Sequence, residues 1–186
     1  PRHIVKFLVQ LLNPIFGEKI YDPFCGTGGM LTETFKFLLR SVPNNKSSID
    51  YLKKESVFGR EISSTAKIAK MNMILIGDGH NNINRIDSLS KPIEGKYDIV
   101  ISNIPFAQQT EYGNLYEIPT KDANSICIQH CMKAIDSAST NGRIGLIVQE
   151  KVLFDKAYEV LREKIYKTCK IENIISLPSG TFEPYT

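Results

Sequence analysis

Residues 19–39 read KIYDPFCGTGGMLTETFKFLL, and the fold is decided there. Lys19 to Phe24 has the apolar, β-prone make-up of a buried strand. Cys25-Gly26-Thr27-Gly28-Gly29 then turns the chain, and Met30 to Leu39 carries apolar residues at helical spacing. Strand, glycine turn and helix in that order open a parallel β-α-β unit. The same alternation continues on both sides. Upstream, Ile4, Val5, Leu8, Leu11 and Leu12 predict a helix that Asn13-Pro14 closes. Downstream, residues 43–48 (Pro-Asn-Asn-Lys-Ser-Ser) read as a solvated loop, and a second strand is expected over Ser56 to Glu61. A helix over Thr65 to Ile76, ended by Gly77-Asp78-Gly79, leads to a short third strand, Asn84 to Asp87.

Tyr97 to Asn103 is a fourth strand, almost continuously apolar, as strands buried on both faces of a parallel sheet are. Ala123 to Asp136 is expected to be helical, Arg143 to Gln149 a fifth strand, Asp155 to Tyr166 an amphipathic helix and Ile171 to Leu177 a sixth strand. Together these predict an α/β fold with a doubly wound parallel sheet, in a single domain over residues 1–186.

Composition narrows the classes. The chain has 186 residues, 42% of them hydrophobic, enough for a substantial core. Its formal net charge of +3 is compatible with nucleic acid but does not by itself argue for it. No apolar run reaches the roughly 20 residues that span a bilayer, and Pro1 to Asn13 lacks a signal-peptide cleavage site. Four cysteines without framework spacing read as reduced thiols in a cytoplasm.

The turn over Asp22, Pro23, Phe24, Cys25, Gly26, Thr27, Gly28 and Gly29 lets backbone approach a ligand and offers free amides at the start of a helix. A phosphate is a poor match: no Gly-Lys-Ser/Thr follows, and Asp22 would repel it. A carboxylate there suits a ligand bearing an amino group and a sulfonium. Taken alone, the glycines are better explained by a tight strand-to-helix turn. Two further acids change the balance. Glu61 ends the second strand, where an acid accepts ribose hydroxyls; it comes later than usual, and a loop over residues 41–55 accounts for the excess. Asp87 ends the third strand, in position to receive the amino group of an adenine ring.

After the fourth strand stands Asn103-Ile104-Pro105-Phe106. An exocyclic adenine amine is a weak nucleophile because its lone pair is delocalised. Two acceptors, the Asn103 side-chain oxygen and the Ile104 carbonyl, would localise that pair and stabilise the developing charge. Pro105 biases Ile104 to an extended conformation, and Phe106 offers an aromatic face to a base extruded from the duplex. In isolation the tetrapeptide is equally a turn in which Phe106 packs inward.

In combination these motifs resemble the N6-adenine amino-methyltransferases, and specifically the modification (DNA methyltransferase) subunit of type I restriction–modification systems. Asp22-Pro23-x-Cys25-Gly26-Thr27-Gly28-Gly29 is similar to that family's cofactor loop, and Gly59-Arg60-Glu61-Ile62 with Ala69 to Met73 to its second acidic strand and following helix. Asp87-Ser88-Leu89 resembles its third acidic position, Asn103 to Phe106 its N-P-P-F, and Pro178 to Phe182 its late L-P-x-G-x-F. The resemblance implies a Rossmann-like class I S-adenosylmethionine-dependent fold. It also implies S-adenosyl-L-methionine as cofactor, DNA with a flipped adenine as substrate, and specificity and restriction subunits as partners.

Three departures stand out. Ile104 replaces the family's first proline, at a loss of rigidity. The chain opens and stops short of the family's N-terminal helical region, its last antiparallel strand and its C-terminal helices, so a fragment or an inactive remnant is the alternative. Ile104-Pro105 is also similar to the ribosomal RNA adenine dimethylases, which keeps RNA adenine, and by the same amide geometry protein glutamine, as rival substrates. Cys127-x-x-His130-Cys131 reads as core packing rather than metal binding, because no second close pair completes four ligands. His3 and His80 have no partner motif.

Overall fold

The computed structural model describes residues 1–79, 82–106, 108–139 and 141–182; His80 lies outside them. Its elements are α1 (Arg2–Leu12), β1 (Ile20–Asp22), α2 (Gly29–Leu39), α3 (Lys46–Glu55), β2 (Val57–Glu61) and α4 (Ala66–Leu75), followed by β3 (Ile83–Arg85), β4 (Ile99–Asn103), α5 (Ala123–Ala134), β5 (Arg143–Ile147), α6 (Lys151–Phe154) and α7 (Glu159–Thr168). The five strands form one all-parallel sheet in the order β3-β2-β1-β4-β5.

Alternation along the strands explains the two layers of helices. Ile20, Val57, Ile83, Ile99 and Ile101 face α1, α2, α3 and α4, where Leu31, Phe35, Leu38 and Met73 complete the larger core. Their neighbours Tyr21 and Val100 face the other way, onto Cys131 and Ala134 of α5. A second cluster on that side joins Ile104, Tyr116, Ile126, Cys127 and Leu161. Cys127 and Cys131 are fully buried there, as the packing reading expects.

The structure departs from the sequence reading in two places. Residues 46–55, expected as loop, are helical: the Asn45 side chain caps α3 by accepting the Ser48 amide at 2.9 Å. Asparagine and serine favour loops and helix N-caps for the same reason, their ability to bind local backbone. The excess before Glu61 is therefore a helix. The expected sixth strand, Ile171 to Leu177, does not form. Among the described residues no strand stands beside it, and Ile174 is 61% exposed. A strand is a pairing, and its alternation alone does not make one.

Order reverses between β1 and β4: the chain runs outward from β1 to β3, then returns to β4 on the other side. In doubly wound sheets the crevice at the carboxyl ends of strands flanking such a switch is where ligands bind. Asp22 ends β1, and Asn103 ends β4.

Candidate active site at the switch between β1 and β4

Asp22 is 1% exposed. Its Oδ1 accepts the Ser102 hydroxyl at 2.6 Å and the Phe24 amide at 3.0 Å. Burial pushes its carboxyl up to about 7, against the opposing pull of those two donors, and the nearby Glu61 charge adds to the rise. Asp22 therefore does more than the sequence reading asks. It ties β1 to β4 directly, through the residue that precedes Asn103.

The glycine loop is held from three sides. Cys25 N–H donates to the Arg60 carbonyl at 2.9 Å, which fastens the loop to the end of β2. Gly26 N–H donates to Glu61 Oε2 at 3.0 Å, while the other Glu61 oxygen accepts the Ser63 amide at 2.8 Å. From α4, the Asn72 amide donates to the Thr27 carbonyl at 2.9 Å. Gly28 has φ +81°, and a Cβ there would sit 3.3 Å from that of Ala69, so the residue must be glycine for both conformation and space. At Gly26 and Gly29 a Cβ would meet nothing within 4 Å, so the loop borders open space. Pro23 and Cys25 are buried, with burial pushing the Cys25 thiol up, which fits a packing role rather than nucleophilic chemistry.

Glu61 and Asp87 are half-buried, at the ends of adjacent strands. Asp87 lies two residues past β3, and its Oδ1 accepts the Leu89 amide at 3.0 Å. The chemistry of this donor and acceptor set fits S-adenosylmethionine. Three acids and the glycine backbone gather at the carboxyl ends of adjacent strands, a set whose chemistry suits a ligand that carries an ammonium, ribose hydroxyls and an adenine amine.

On the other side of the switch Asn103 is exposed, and among the described residues its side chain makes no hydrogen bond. Ile104 is 1% exposed, packed with Leu89 and Tyr116, and its N–H donates to the Ile147 carbonyl at 3.1 Å. A proline could not make this bond, which ties Ile104 to β5 at the position where the sequence reading expects a loss of rigidity. Phe106 is half-buried, edge-on to Phe182 with centroids 6.5 Å apart and rings at 84°. The late Pro178 to Phe182 segment thus reaches the tetrapeptide.

Sequence reasoning named Asp22, Glu61, Asp87 and the tetrapeptide, and the fold brings all of them to one end of the sheet. It missed Ser102 and Asn72. Ser102 had a signal: it is the one hydroxyl in the apolar run from Ile99 to Ser102. Asn72 lies in the Ala69 to Met73 stretch that carries the resemblance, but its own role had no local signal, because its partner is a carbonyl far away in sequence.

The chain matches the N-6 DNA Methylase family over residues 1–186. It is 26% identical over 196 residues to the type I restriction enzyme EcoEI methylase subunit of Escherichia coli, an alignment covering 100% of this chain and 39% of that protein. A solved chain described for complex assembly and conformational transition of the type I R-M system superposes with a TM-score of 0.93 at 28% identity, over 100% of this chain and 39% of that one. A putative class I S-adenosylmethionine-dependent methyltransferase from Listeria monocytogenes shares the fold, with a TM-score of 0.63 at 17% identity over 89% of this chain and 50% of that one. This chain spans about two fifths of the length of the type I relatives it matches.

Proposed function

The chain belongs to the N-6 DNA methylase family, and from that premise we propose that it is the methyl-transferring core of a type I modification subunit, acting on adenine N6 in DNA. The observation that carries this is the Ser102–Asp22 hydrogen bond. It locks the acid of the glycine loop to the residue beside Asn103, so cofactor and target sides share one crevice.

S-adenosylmethionine, when bound, supplies an electrophilic methyl group on a sulfonium centre. The residues proposed to hold it are Asp22, Pro23, Cys25, Gly26, Thr27, Gly28 and Gly29 with Glu61 and Asp87. Asp22 sets the turn and places negative charge near the ligand's cationic end. Glu61 has each oxygen engaged once by backbone, which leaves further lone pairs for ribose hydroxyls. Asn103 Oδ1 and the Ile104 carbonyl accept the two hydrogens of the adenine amine. They would stabilise the positive charge that develops on N6 as it takes the methyl group, while the methyl–sulfur bond gives way with its electron pair returning to sulfur; the spare proton would leave afterwards to water. Pro105 keeps the Ile104 carbonyl extended, and Phe106 stacks on the extruded base with Phe182 against its edge.

The name of the E. coli relative as a methylase subunit, and the solved type I chain, support specificity and restriction subunits as partners. Among the described residues no helix is long and apolar enough to cross a membrane.

The test is transfer of labelled methyl to DNA by the native protein, with RNA and protein substrates in parallel. Asn103→Ala is expected to lower kcat on DNA by about 100- to 1,000-fold, the loss found when one oxyanion-type contact is removed, with S-adenosylmethionine affinity preserved. An unchanged rate in Asn103→Ala removes the assigned role, and transfer to RNA or protein instead of DNA replaces the substrate.

A further inference from the structure

His130 on α5 is fully buried and sits between two tyrosines. Its Nε2 lies 3.3 Å from the Tyr21 hydroxyl, and its Nδ1 lies 3.0 Å from that of Tyr116. The Tyr116 hydroxyl also reaches the Leu89 carbonyl at 3.1 Å, and Ser88 Oγ donates to the Pro23 carbonyl at 2.7 Å while standing 3.5 Å from the Tyr21 hydroxyl. The cluster therefore touches β1, the glycine loop, the segment after Asp87 and the loop that follows Asn103–Phe106.

Each hydroxyl has one proton, which limits the arrangements. Among the described residues the buried Leu89 carbonyl has no other donor. If Tyr116 donates there, it must accept from Nδ1–H, and Nε2 is then free to accept from Tyr21. The opposite arrangement puts the proton on Nε2, sends the Tyr116 proton to Nδ1, relies on the 3.5 Å contact and orphans the Leu89 carbonyl, a loss that buried polar groups rarely bear. The first arrangement wins.

We propose that His130 is a positioning residue, carrying its proton on Nδ1 in a directed chain Tyr21 to His130 to Tyr116 to Leu89, which fixes the cofactor edge beside Asp87 against the loop behind the catalytic tetrapeptide. Burial, with the Arg60 charge assisting, pushes the His130 imidazole down to about 3, so it stays neutral and the chain keeps its direction across the working pH range. The adjacent Gln129 makes the contrast that tests this. Its amide accepts the Ile118 N–H and donates to the Ile118 carbonyl, both at 2.9 Å, so it holds the same loop without touching the cofactor edge.

The positioning role rests on the methyl-transfer reading above; the proton arrangement does not. In nitrogen-15 spectra of histidine-labelled native protein, comparison with His130→Asn identifies the imidazole that belongs to His130. It is expected as the Nδ1–H tautomer, the less populated form in water, without titration near neutrality. An Nε2–H signal for His130 overturns the chain, even if methylation proceeds as proposed.

In calorimetric titration, Tyr116→Phe is expected to weaken S-adenosylmethionine binding about three- to tenfold, the worth of one net hydrogen bond, while Gln129→Leu changes it by less than about twofold and instead raises KM for DNA. His130→Asn, whose amide nitrogen replaces Nδ1 as donor to Tyr116, is expected to keep cofactor affinity where His130→Leu loses it. Equal losses of cofactor and DNA affinity in both loop variants overturn the positioning role. A wild-type protein that shows the tautomer but binds no S-adenosylmethionine overturns the functional reading instead.

Discussion

The two sides of the crevice, proposed above as its cofactor side and its target side, are built on opposite terms. On the cofactor side the acids are already engaged by the protein: Asp22 by Phe24 and Ser102, Glu61 by Gly26 and Ser63, Asp87 by Leu89. On the target side Asn103 stands exposed, with its neighbour Ile104 buried and bonded behind it. The difference matches what each side would meet under the proposed function. A small cofactor is best received by a fixed cradle, whose order is established on folding rather than on binding. A base swung out of a duplex arrives by a large movement of its own, so its acceptor has to be reachable. Asn103, the exposed one of the two proposed acceptors, meets that need, while rigidity is placed at Ile104, whose carbonyl is the second acceptor and which is 1% exposed here.

Asp22 gives the strongest test of the first half of that contrast. Its folded pKa is raised from an ordinary carboxylate value to about 7. Between those two values the folded state binds the extra proton, so the contribution to stability is present below the unfolded pKa and is lost as pH rises through about 7. Three pKa units correspond to a penalty on the order of 4 kcal/mol at pH 8. Asp22→Asn removes it. Thermal denaturation should show the variant more stable than wild type at pH 8, with the gap closing towards pH 4, while S-adenosylmethionine affinity falls. A variant less stable than wild type at pH 8 would mean that the carboxylate holds the fold together rather than standing ready for a cation.

The parts of this arrangement that sequence made legible are the local ones. The strand-to-helix turn at Cys25 to Gly29, the buried run before Asn103 and the acids at strand ends all announce themselves within a few residues. What stayed hidden is pairing. Ser102 and Asp22 are 80 positions apart and meet because β4 lies beside β1, a fact of topology. The same holds for His130, which reads as one more buried helix residue until Tyr21 and Tyr116 close on it. Ile171 to Leu177 failed in the reverse direction: it has the composition of a strand and no partner among the described residues. Asn45 and Ser48 read as loop because their side chains serve a helix start equally well.

Ile104 tests the second half of the contrast. If target-side order came from local chain stiffness, Ile104→Pro would be harmless or favourable, since proline stands there in the resembling N-P-P-F motif. Here the Ile104 N–H extends the β4–β5 ladder to Ile147 and its side chain fills the core against Leu89 and Tyr116. Losing the bond and part of the buried volume should cost about 2–3 kcal/mol, read as a lower unfolding midpoint, with kcat falling more than cofactor affinity. An unaltered midpoint would return the rigidity to the tetrapeptide itself.

Phe106 should matter least to stability and most selectively to function. Its ring is half-buried and meets Phe182 edge-on at 6.5 Å, so Phe106→Ala forfeits folding free energy on the order of 1 kcal/mol. A base stacked on an aromatic face is worth about 1–3 kcal/mol by alanine substitution. Phe106→Ala should therefore raise KM for DNA or lower kcat by roughly tenfold or more, while the unfolding midpoint and the S-adenosylmethionine affinity stay close to wild type. Phe106→Tyr, which keeps the face, should recover most of the rate. Phe106→Leu keeps apolar bulk without a π-face, so it separates stacking from simple filling of space. Full activity in Phe106→Leu would leave the aromatic ring without a role in holding the base. Equal losses of DNA and cofactor affinity in Phe106→Ala would show that the two sides of the crevice are one structure, because a ring whose described aromatic partner is Phe182 would then be supporting Asp22, Glu61 and Asp87 as well.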